Sequence, residues 1–287
     1  MTQMAQVLRT GPLWGVAATV MIGAGCVSHH ASPPLPPPEP GTPKRYECRR
    51  VAGPLTIDGV IARDEWAFAP WSDAFVDIEG SKRRQPRLET RMKMAWDDEC
   101  LYVAAWMQEP HVWATYDRRD MIVFKENDFE IFIDPNGDTR NYFEIEINAI
   151  GTIFDLFLPR TYIDRGLPDH DWNCLGMRWA VDVDGTVNDA RDVDRGWTVE
   201  FALPWSAFAD KGGMPCPPGA GDEWRINFSR VQWTLEAVRG TYRKSKGLKE
   251  DNWVWTPQGV IDMHRPQRWG YVEFTTESTE NKQRDRK

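Results

Sequence analysis

Short apolar and aromatic runs, separated by turn residues, recur along most of the chain and predict β-strands. One hairpin is predicted where residues 91–96 and 101–107 flank a polar turn. A second is predicted where "DFEIFID" and "NYFEIEINAIG" flank an Asn-Gly turn. Helical signals are confined to single turns near residues 63–68 and 205–209. Many short strands with little helix predict an all-β fold, an antiparallel β-sandwich.

The second strand of the second hairpin alternates strictly between apolar and polar side chains. Its apolar positions, 143, 145, 147 and 149, point one way and are expected to pack on the core. Its opposite face carries Glu144, Glu146 and Asn148 and is free to meet water or a ligand. One wall of a binding site is therefore predicted here, and a solvated sheet face is the alternative.

The first residues carry the pattern of an export signal rather than of a fold. Arg9 precedes an apolar run at 13–22 that is too short to span a bilayer but suits a signal peptide. Small residues then precede Cys26, which predicts a bacterial lipoprotein signal at 1–25 with Cys26 as the acylated first mature residue. An ordinary secretory signal is the alternative. Both predict an exported protein, in the lipoprotein form anchored to a membrane and facing the periplasm or the cell surface.

The rest of the chain divides into three parts by composition. Residues 26–45 form a proline-rich spacer that favours neither helix nor sheet. Residues 46–275 are long enough for one β-sandwich domain with a sizeable core. Residues 276–287 form a charged tail, which is expected to fray.

Composition narrows the class of partner. A net charge of −8 without a basic stripe argues against a nucleic-acid partner. Contact with a membrane is predicted through the lipid anchor only. The 15 tryptophans are unusual, because flat aromatic side chains serve broad packing surfaces or stack on sugars. Four cysteines remain after Cys26: Cys48, Cys100, Cys174 and Cys216. In an oxidising compartment an even number predicts two disulfides of open pairing, and a buried thiol is the alternative for Cys100.

Five stretches of the sequence occur in an order that resembles a family 9 carbohydrate-binding module. They are "LTIDGVIARDEW", "MAWDDECLYVAAWMQEP", "NDFEIFIDPNGD", "GWTVEFALPW" and "RPQRWGYVEF", which together span residues 55–274. The resemblance implies a β-sandwich that holds structural calcium and binds sugars without catalysis. In such modules two tryptophans clamp a sugar. The corresponding positions here are Phe124 or Lys125 and Met263 or His264, so neither clamp tryptophan is present.

Sugar binding needs flat apolar faces for the ring and planar polar groups for its hydroxyls. The predicted site is therefore a set of aromatic, acidic, amide and guanidinium side chains near the clamp positions. Its members are Trp113, Tyr116, Phe124, Glu144, Glu146, Asn148, Arg230, Gln232, Trp253, Trp255, Met263 and His264.

Calcium requires clustered oxygen ligands, and Asp134, Asn136 and Asp138 present them at alternate positions of one turn. A calcium site is predicted there, with an ordinary acidic hairpin turn as the alternative. The predicted function is non-catalytic carbohydrate binding in support of polysaccharide use. Two other functions stay open. They are haem binding through Met263 and His264, and glycan hydrolysis by a pair of carboxylates such as Glu144 and Glu146.

Overall fold

A computed structural model describes residues 42–61 and 64–276. The predicted signal peptide, Cys26, most of the spacer and all but residue 276 of the tail lie outside the described residues. No helix in the described part of the chain is long and apolar enough to cross a membrane.

Fourteen strands and one short helix occur within the described residues. The helix, α1, is Ser206–Ala209. The strands are β1 (Arg45–Arg50), β2 (Val76–Asp77), β3 (Thr90–Trp96), β4 (Cys100–Gln108), β5 (Asp128–Asp134), β6 (Tyr142–Asn148), β7 (Ile153–Leu158), β8 (Arg178–Asp184), β9 (Gly196–Pro204), β10 (Glu223–Gln232), β11 (Leu235–Val238), β12 (Thr241–Lys244), β13 (Asp251–Val254) and β14 (Gly270–Thr275). Single turns of 3-10 helix occupy Asp64–Trp66, Gly80–Lys82, Val123–Lys125 and Pro266–Arg268.

The strands form one long curled sheet and a separate hairpin of β11 and β12. The order along the sheet is β7-β6-β5-β10-β14-β1-β3-β4-β9-β8, and β13 joins β10 to β2. All these pairs are antiparallel except at β1, which lies parallel to both β14 and β3. The antiparallel prediction therefore fails at β1. Because β1 opens the described chain and is far in sequence from β14, no short turn forces these two strands to be antiparallel.

The sheet curls so that its two halves bury one main core between them. Alternate residues of β5, β6 and β10, among them Ile131, Ile145 and Phe228, belong to one buried cluster with Met94 and Phe201 of the other half. This arrangement is a β-sandwich, as the strand pattern predicted. Two further clusters cover the outer faces: residues from 51–61 and 64–69 pack on β3, β4 and β9, and residues after β13 pack on β5, β6 and β7.

The four cysteines of the described domain are free thiols, so the prediction of two disulfides is wrong. Cys48 and Cys174 belong to the main core, whereas Cys100 lies in the cluster under the loop at 51–69. They are packed as small apolar side chains in different places, and burial raises the pKa of each thiol. The alternative for Cys100, a buried free thiol, is confirmed.

Candidate functional site

A cleft of about 510 Å³ lies on the outer face of β5, β6 and β7. Strand register explains why these side chains meet there, since directly paired residues project from the same face. Glu130 pairs with Glu146, which in turn pairs with Phe154, and Phe132 pairs with Glu144. The floor residues are Glu130, Phe132, Glu144, Glu146, Phe154, Leu156 and Val231. The loop residues around them are Ile78, Ile122, Phe124, Tyr162, His170, Glu250, Asn252, Ile261, Asp262, Met263 and His264.

Four acidic side chains lie on this face of β5 and β6: Asp128, Glu130, Glu144 and Glu146, here called the carboxylate quartet, of which the three glutamates line the cleft. Each is at most 5% exposed. Oxygen atoms of Asp128, Glu130 and Glu146 lie within 4.8 Å of one another. Three acids this close and this deep in a protein require a proton or a cation between them, because like charges in a buried site repel strongly.

Backbone amides hold one carboxylate oxygen of Asp128 and one of Glu146 in place. The N–H of Val231 donates to Asp128 Oδ1 (3.0 Å), and the N–H of Phe124 donates to Glu146 Oε2 (2.9 Å). Other buried oxygens have no hydrogen-bond partner, namely Asp128 Oδ2, Glu144 Oε2 and the hydroxyl of Ser229. The quartet is therefore positioned by the fold but only partly satisfied by it.

Burial dominates the titration of the quartet. Removal from water raises the pKa of Glu130 to about 7 and that of Glu144 to about 8. The pKa values of Asp128 and Glu146 are raised for the same reason, and repulsion by Glu130 adds to the shift. Near neutral pH the quartet consequently holds protons as well as charge, so it can donate or accept hydrogen bonds.

The rim of the cleft is apolar and aromatic. Phe124 is 42% exposed and Tyr162 is 45% exposed. The Tyr162 ring meets the His264 ring edge-on, with centroids 4.4 Å apart. His264 Nδ1 also lies 3.1 Å from the Tyr142 hydroxyl, and burial lowers the pKa of this imidazole to about 4. His264 is thus a neutral wall residue at physiological pH, packed between two tyrosines.

Five of the predicted sugar-binding residues come together in the cleft: Phe124, Glu144, Glu146, Met263 and His264. The two clamp positions therefore border the same cleft even though neither carries tryptophan. Trp113, Tyr116 and Asn148 lie outside it. Asn148 is fully buried, and its side chain bonds the Tyr116 carbonyl and the backbone N–H groups of Ile150 and Thr152, so it shapes the turn between β6 and β7.

Trp253, Trp255, Arg230 and Gln232 are buried on the inner side of the sheet, away from the cleft. Trp253 is 3% exposed and Trp255 is 1% exposed. Arg230 donates to Glu109 (3.0 Å), Thr90 and Gln232. The reason is register: β13 pairs with β10, so the alternation that aligns the two tryptophans directs both into the core.

Several residues of the cleft were not predicted. The sequence did contain a signal for Glu130, because this residue shares one face of β5 with Asp128 and Asp134, as Glu144 shares one face of β6 with Glu146. Ser229 and Val231 reach the same face from β10, about a hundred residues later in the chain. Tyr162 lies in a loop whose sequence gives no sign of its position.

The acidic turn between β5 and β6 uses its own side chains to bind its own backbone. Asp134 accepts from the amides of Gly137 (3.0 Å) and Thr139 (2.9 Å), and Asp138 accepts from the amide of Arg140 (2.8 Å). Gly137 has a φ of 67°, which a glycine adopts without strain. With these oxygens engaged, the residues of the turn fit calcium poorly, and calcium binding here stays a prediction.

Comparison with known proteins agrees with this fold. Residues 57–273 match the family model described as "Carbohydrate family 9 binding domain-like". The chain belongs to this family. A search of curated proteins finds no match.

Three solved structures share the family 9 fold at low sequence identity. Two of them are complexes of a carbohydrate binding module of family 9 from Caldicellulosiruptor kristjanssonii. Its complex with cellotriose is 16% identical, with a TM-score of 0.54 over 83% of this chain and 96% of that one. Its complex with glucose is 17% identical, with a TM-score of 0.53 over 82% of this chain and 98% of that one. The third is a putative carbohydrate-binding protein from Bacteroides uniformis, 15% identical, with a TM-score of 0.59 over 81% and 100%.

Proposed function

We propose that the cleft over β5, β6 and β7 binds a carbohydrate and releases it chemically unchanged. The observation that carries this proposal is the pairing of an exposed aromatic rim, Phe124 and Tyr162, with a floor of buried carboxyl groups. The aromatic faces suit the C–H side of a sugar ring, and the carboxyl groups suit its hydroxyls.

Family membership and the ligands of similar structures support the same conclusion. The module from Caldicellulosiruptor kristjanssonii is described in complex with cellotriose and with glucose. In this chain Phe124 or Lys125 occupies one clamp position, and Tyr162 adds an aromatic face beside His264. Each stacked ring contributes roughly 1–3 kcal/mol, so two or three contacts support an affinity on the order of micromolar to millimolar.

Binding to immobilised polysaccharides and to a glycan array tests this function. We expect Phe124→Ala and Tyr162→Ala each to weaken binding about fivefold or more, because each removes one stacking face. Trp71→Ala is the matched control, since Trp71 is 42% exposed but lies in a different groove. Equal loss in the control, or no binding to any glycan, would contradict the proposal. Release of shortened sugar from the glycan would instead support the alternative function, glycan hydrolysis.

We also propose that the domain is exported and held at a membrane through lipid on Cys26. The support is the sequence alone: a short apolar run, small residues before the cysteine, and a proline-rich spacer that separates the domain from the anchor. Cell fractionation tests it. The full chain is expected with the membranes, and Cys26→Ser is expected to shift to the soluble exported fraction. A Cys26→Ser protein that stays with the membranes would contradict the lipid anchor.

A further inference from the structure

Positive charge is concentrated in one loop directly after β2, although the chain as a whole carries a net charge of −8. Within the stretch "KRRQPR" at 82–87, four of six residues are basic, and all four are exposed. They line one groove of about 480 Å³, here called the basic groove. Its residues are Asp77, Lys82, Arg83, Arg84, Gln85, Pro86, Arg87, Asp251 and Trp253.

The loop that carries these cations is anchored to the sheet at its start. The N–H of Ile78 donates to the carbonyl of Asn252 (2.9 Å), which continues the pairing of β2 with β13. The N–H of Arg83 donates to the carbonyl of Gly80 (3.0 Å) and closes the 3-10 turn. Pro86 then restricts the backbone within the basic stretch. The fold therefore presents the basic side chains together on one side of the loop.

Two of the four cations are held by carboxylates of the protein. Arg83 pairs with Glu79, and Arg87 pairs with Asp251. The Arg87 guanidinium also lies 5.1 Å from the centroid of the Trp253 ring, which closes the groove on the side of the core. These two arginines are consequently fixed in direction but largely neutralised.

The other two cations, Lys82 and Arg84, keep their charge. Neither takes part in an ion pair with any residue of 42–61 or 64–276. The cleft over β5, β6 and β7 is opposite in character, since no lysine or arginine of the described residues lines it. An anionic group is therefore attracted to the basic groove and repelled from the acidic floor of the cleft.

The basic groove and the cleft lie on opposite faces of the same two strands. Ile78 and Asn252 line the cleft, whereas Asp77 and Trp253, which pair directly with each other, line the basic groove. Successive residues of a strand point to opposite faces, which explains this division. Among the described strands β2 pairs with β13 alone, so it forms an edge. A polymer that leaves the cleft over this edge meets the loop at 82–87.

We propose that the basic groove binds the anionic groups, carboxylate or sulfate, of an acidic polysaccharide. Guanidinium and ammonium groups suit these oxyanions, because both donate several charge-assisted hydrogen bonds. The choice of a polysaccharide rests on the proposed function of the neighbouring cleft, which would hold an uncharged part of the same chain. The basic residues occupy a single loop and do not form the extended stripe that a nucleic acid requires.

Binding of the full chain to three soluble polymers tests the proposal: dextran sulfate, polygalacturonate and uncharged dextran. We expect binding to at least one acidic polymer, with none to dextran, and a weakening of about tenfold or more from about 50 to about 500 mM NaCl. Binding to dextran sulfate alone would assign sulfate as the bound group, and binding to polygalacturonate alone would assign carboxylate.

A matched pair of double variants locates the binding. Lys82→Gln with Arg84→Gln is expected to weaken binding to the acidic polymer about fivefold or more, because it removes the two unpaired cations. Arg118→Gln with Arg140→Gln is the control, since it removes the same charge from exposed positions that line neither the cleft nor the basic groove. The control should bind as the wild type does. Thermal unfolding of both variants checks that each is folded.

Three results would overturn the proposal. One is no binding to either acidic polymer at about 50 mM NaCl. Another is an equal loss in the two double variants, which would mean attraction to overall charge rather than to the basic groove. The third is equally tight binding to duplex DNA or to vesicles of anionic lipid. Uncharged glycans report on the cleft and acidic polymers on the basic groove, so failure of the basic groove and failure of the proposed function are distinguishable.

Discussion

Two buried acidic sites on opposite outer faces of the sandwich differ in how their oxygens are used. On β9, Glu200 is fully buried and receives three donors: the amides of Asp58 (2.9 Å) and Gly59 (2.8 Å) and the indole N–H of Trp66 (2.6 Å). Across the sandwich, the carboxylate quartet is equally buried but keeps unpartnered oxygens and opens into a cleft.

The difference separates a structural acid from an acid available to a ligand. Glu200 ties residues 58, 59 and 66 to the sheet, and Gly59 is needed there because a Cβ at its position would lie 2.7 Å from the amide nitrogen of Asp182. The donors of Glu200 belong to the fold and are present in every folded molecule. The quartet receives such donors at only one oxygen of Asp128 and one of Glu146, so its other oxygens are left for protons or for a ligand.

Glu200→Ala should produce the largest effect. The substitution leaves two backbone amides and one indole N–H buried without an acceptor, which is expected to lower the free energy of unfolding by about 3–5 kcal/mol. Urea unfolding followed by tryptophan fluorescence measures the change. Glu144→Gln is the control: burial raises the pKa of Glu144 to about 8, so this side chain is already largely uncharged near neutral pH, and glutamine should leave stability unchanged or raised. A larger loss of unfolding free energy in Glu144→Gln than in Glu200→Ala would contradict this comparison.

A smaller effect is expected from pH on the stability of the protein. The folded-state pKa of Glu144, about 8, lies above its ordinary value of 4.5, so the folded state binds more protons than the unfolded state between these values. The free energy of unfolding should therefore fall as pH rises from about 4.5 to 8, by more than about 1 kcal/mol, and then level off.

Thermal unfolding in chelator across this pH range measures the slope. Glu144→Gln removes one of the titrating groups and should flatten it, whereas Asp138→Asn should not. A stability that rises steadily with pH in the wild type would contradict the protonated state assigned to the quartet.

The smallest effect is expected in the acidic turn. Asp138 is exposed, and Asp138→Ala removes two local hydrogen bonds, from the Arg140 amide and the Asn136 side chain, at a cost below about 1 kcal/mol. Asp134→Ala should cost at least about 1 kcal/mol more, because Asp134 is fully buried and serves two amides. Chemical denaturation of the two variants compares them. Equal costs would mean that burial does not set the importance of an acid in this protein.

Local pattern predicted the strands and the acidic face of β6 correctly. Alternation in β6 separates Ile145 and Ile147 from Glu144 and Glu146, because side chains of a strand alternate between its faces wherever the strand lies. The ordered landmarks also predicted the family, which the match over residues 57–273 confirms.

Alternation could not decide which face of β13 and β10 meets solvent. Trp253 and Trp255 share a face, as predicted, but pairing with β10 directs that face into the core, where the Arg230 guanidinium lies 5.2 Å from the centroid of the Trp253 ring. A one-residue change of register would have turned the same side chains outward, and no local signal determines the register.

The sequence by itself determined the β-sandwich class, the hairpins and the side of β6 that carries acid, since these depend on period-two geometry and turn chemistry. Only the tertiary structure decided that Asp128 and Glu130 of β5, Glu144 and Glu146 of β6, and Ser229 of β10 share one face of the sheet. Their convergence depends on pairing between strands that are distant in the chain. The surrounding loops donate hydrogen bonds to Glu200 but leave some oxygens of the quartet without a donor.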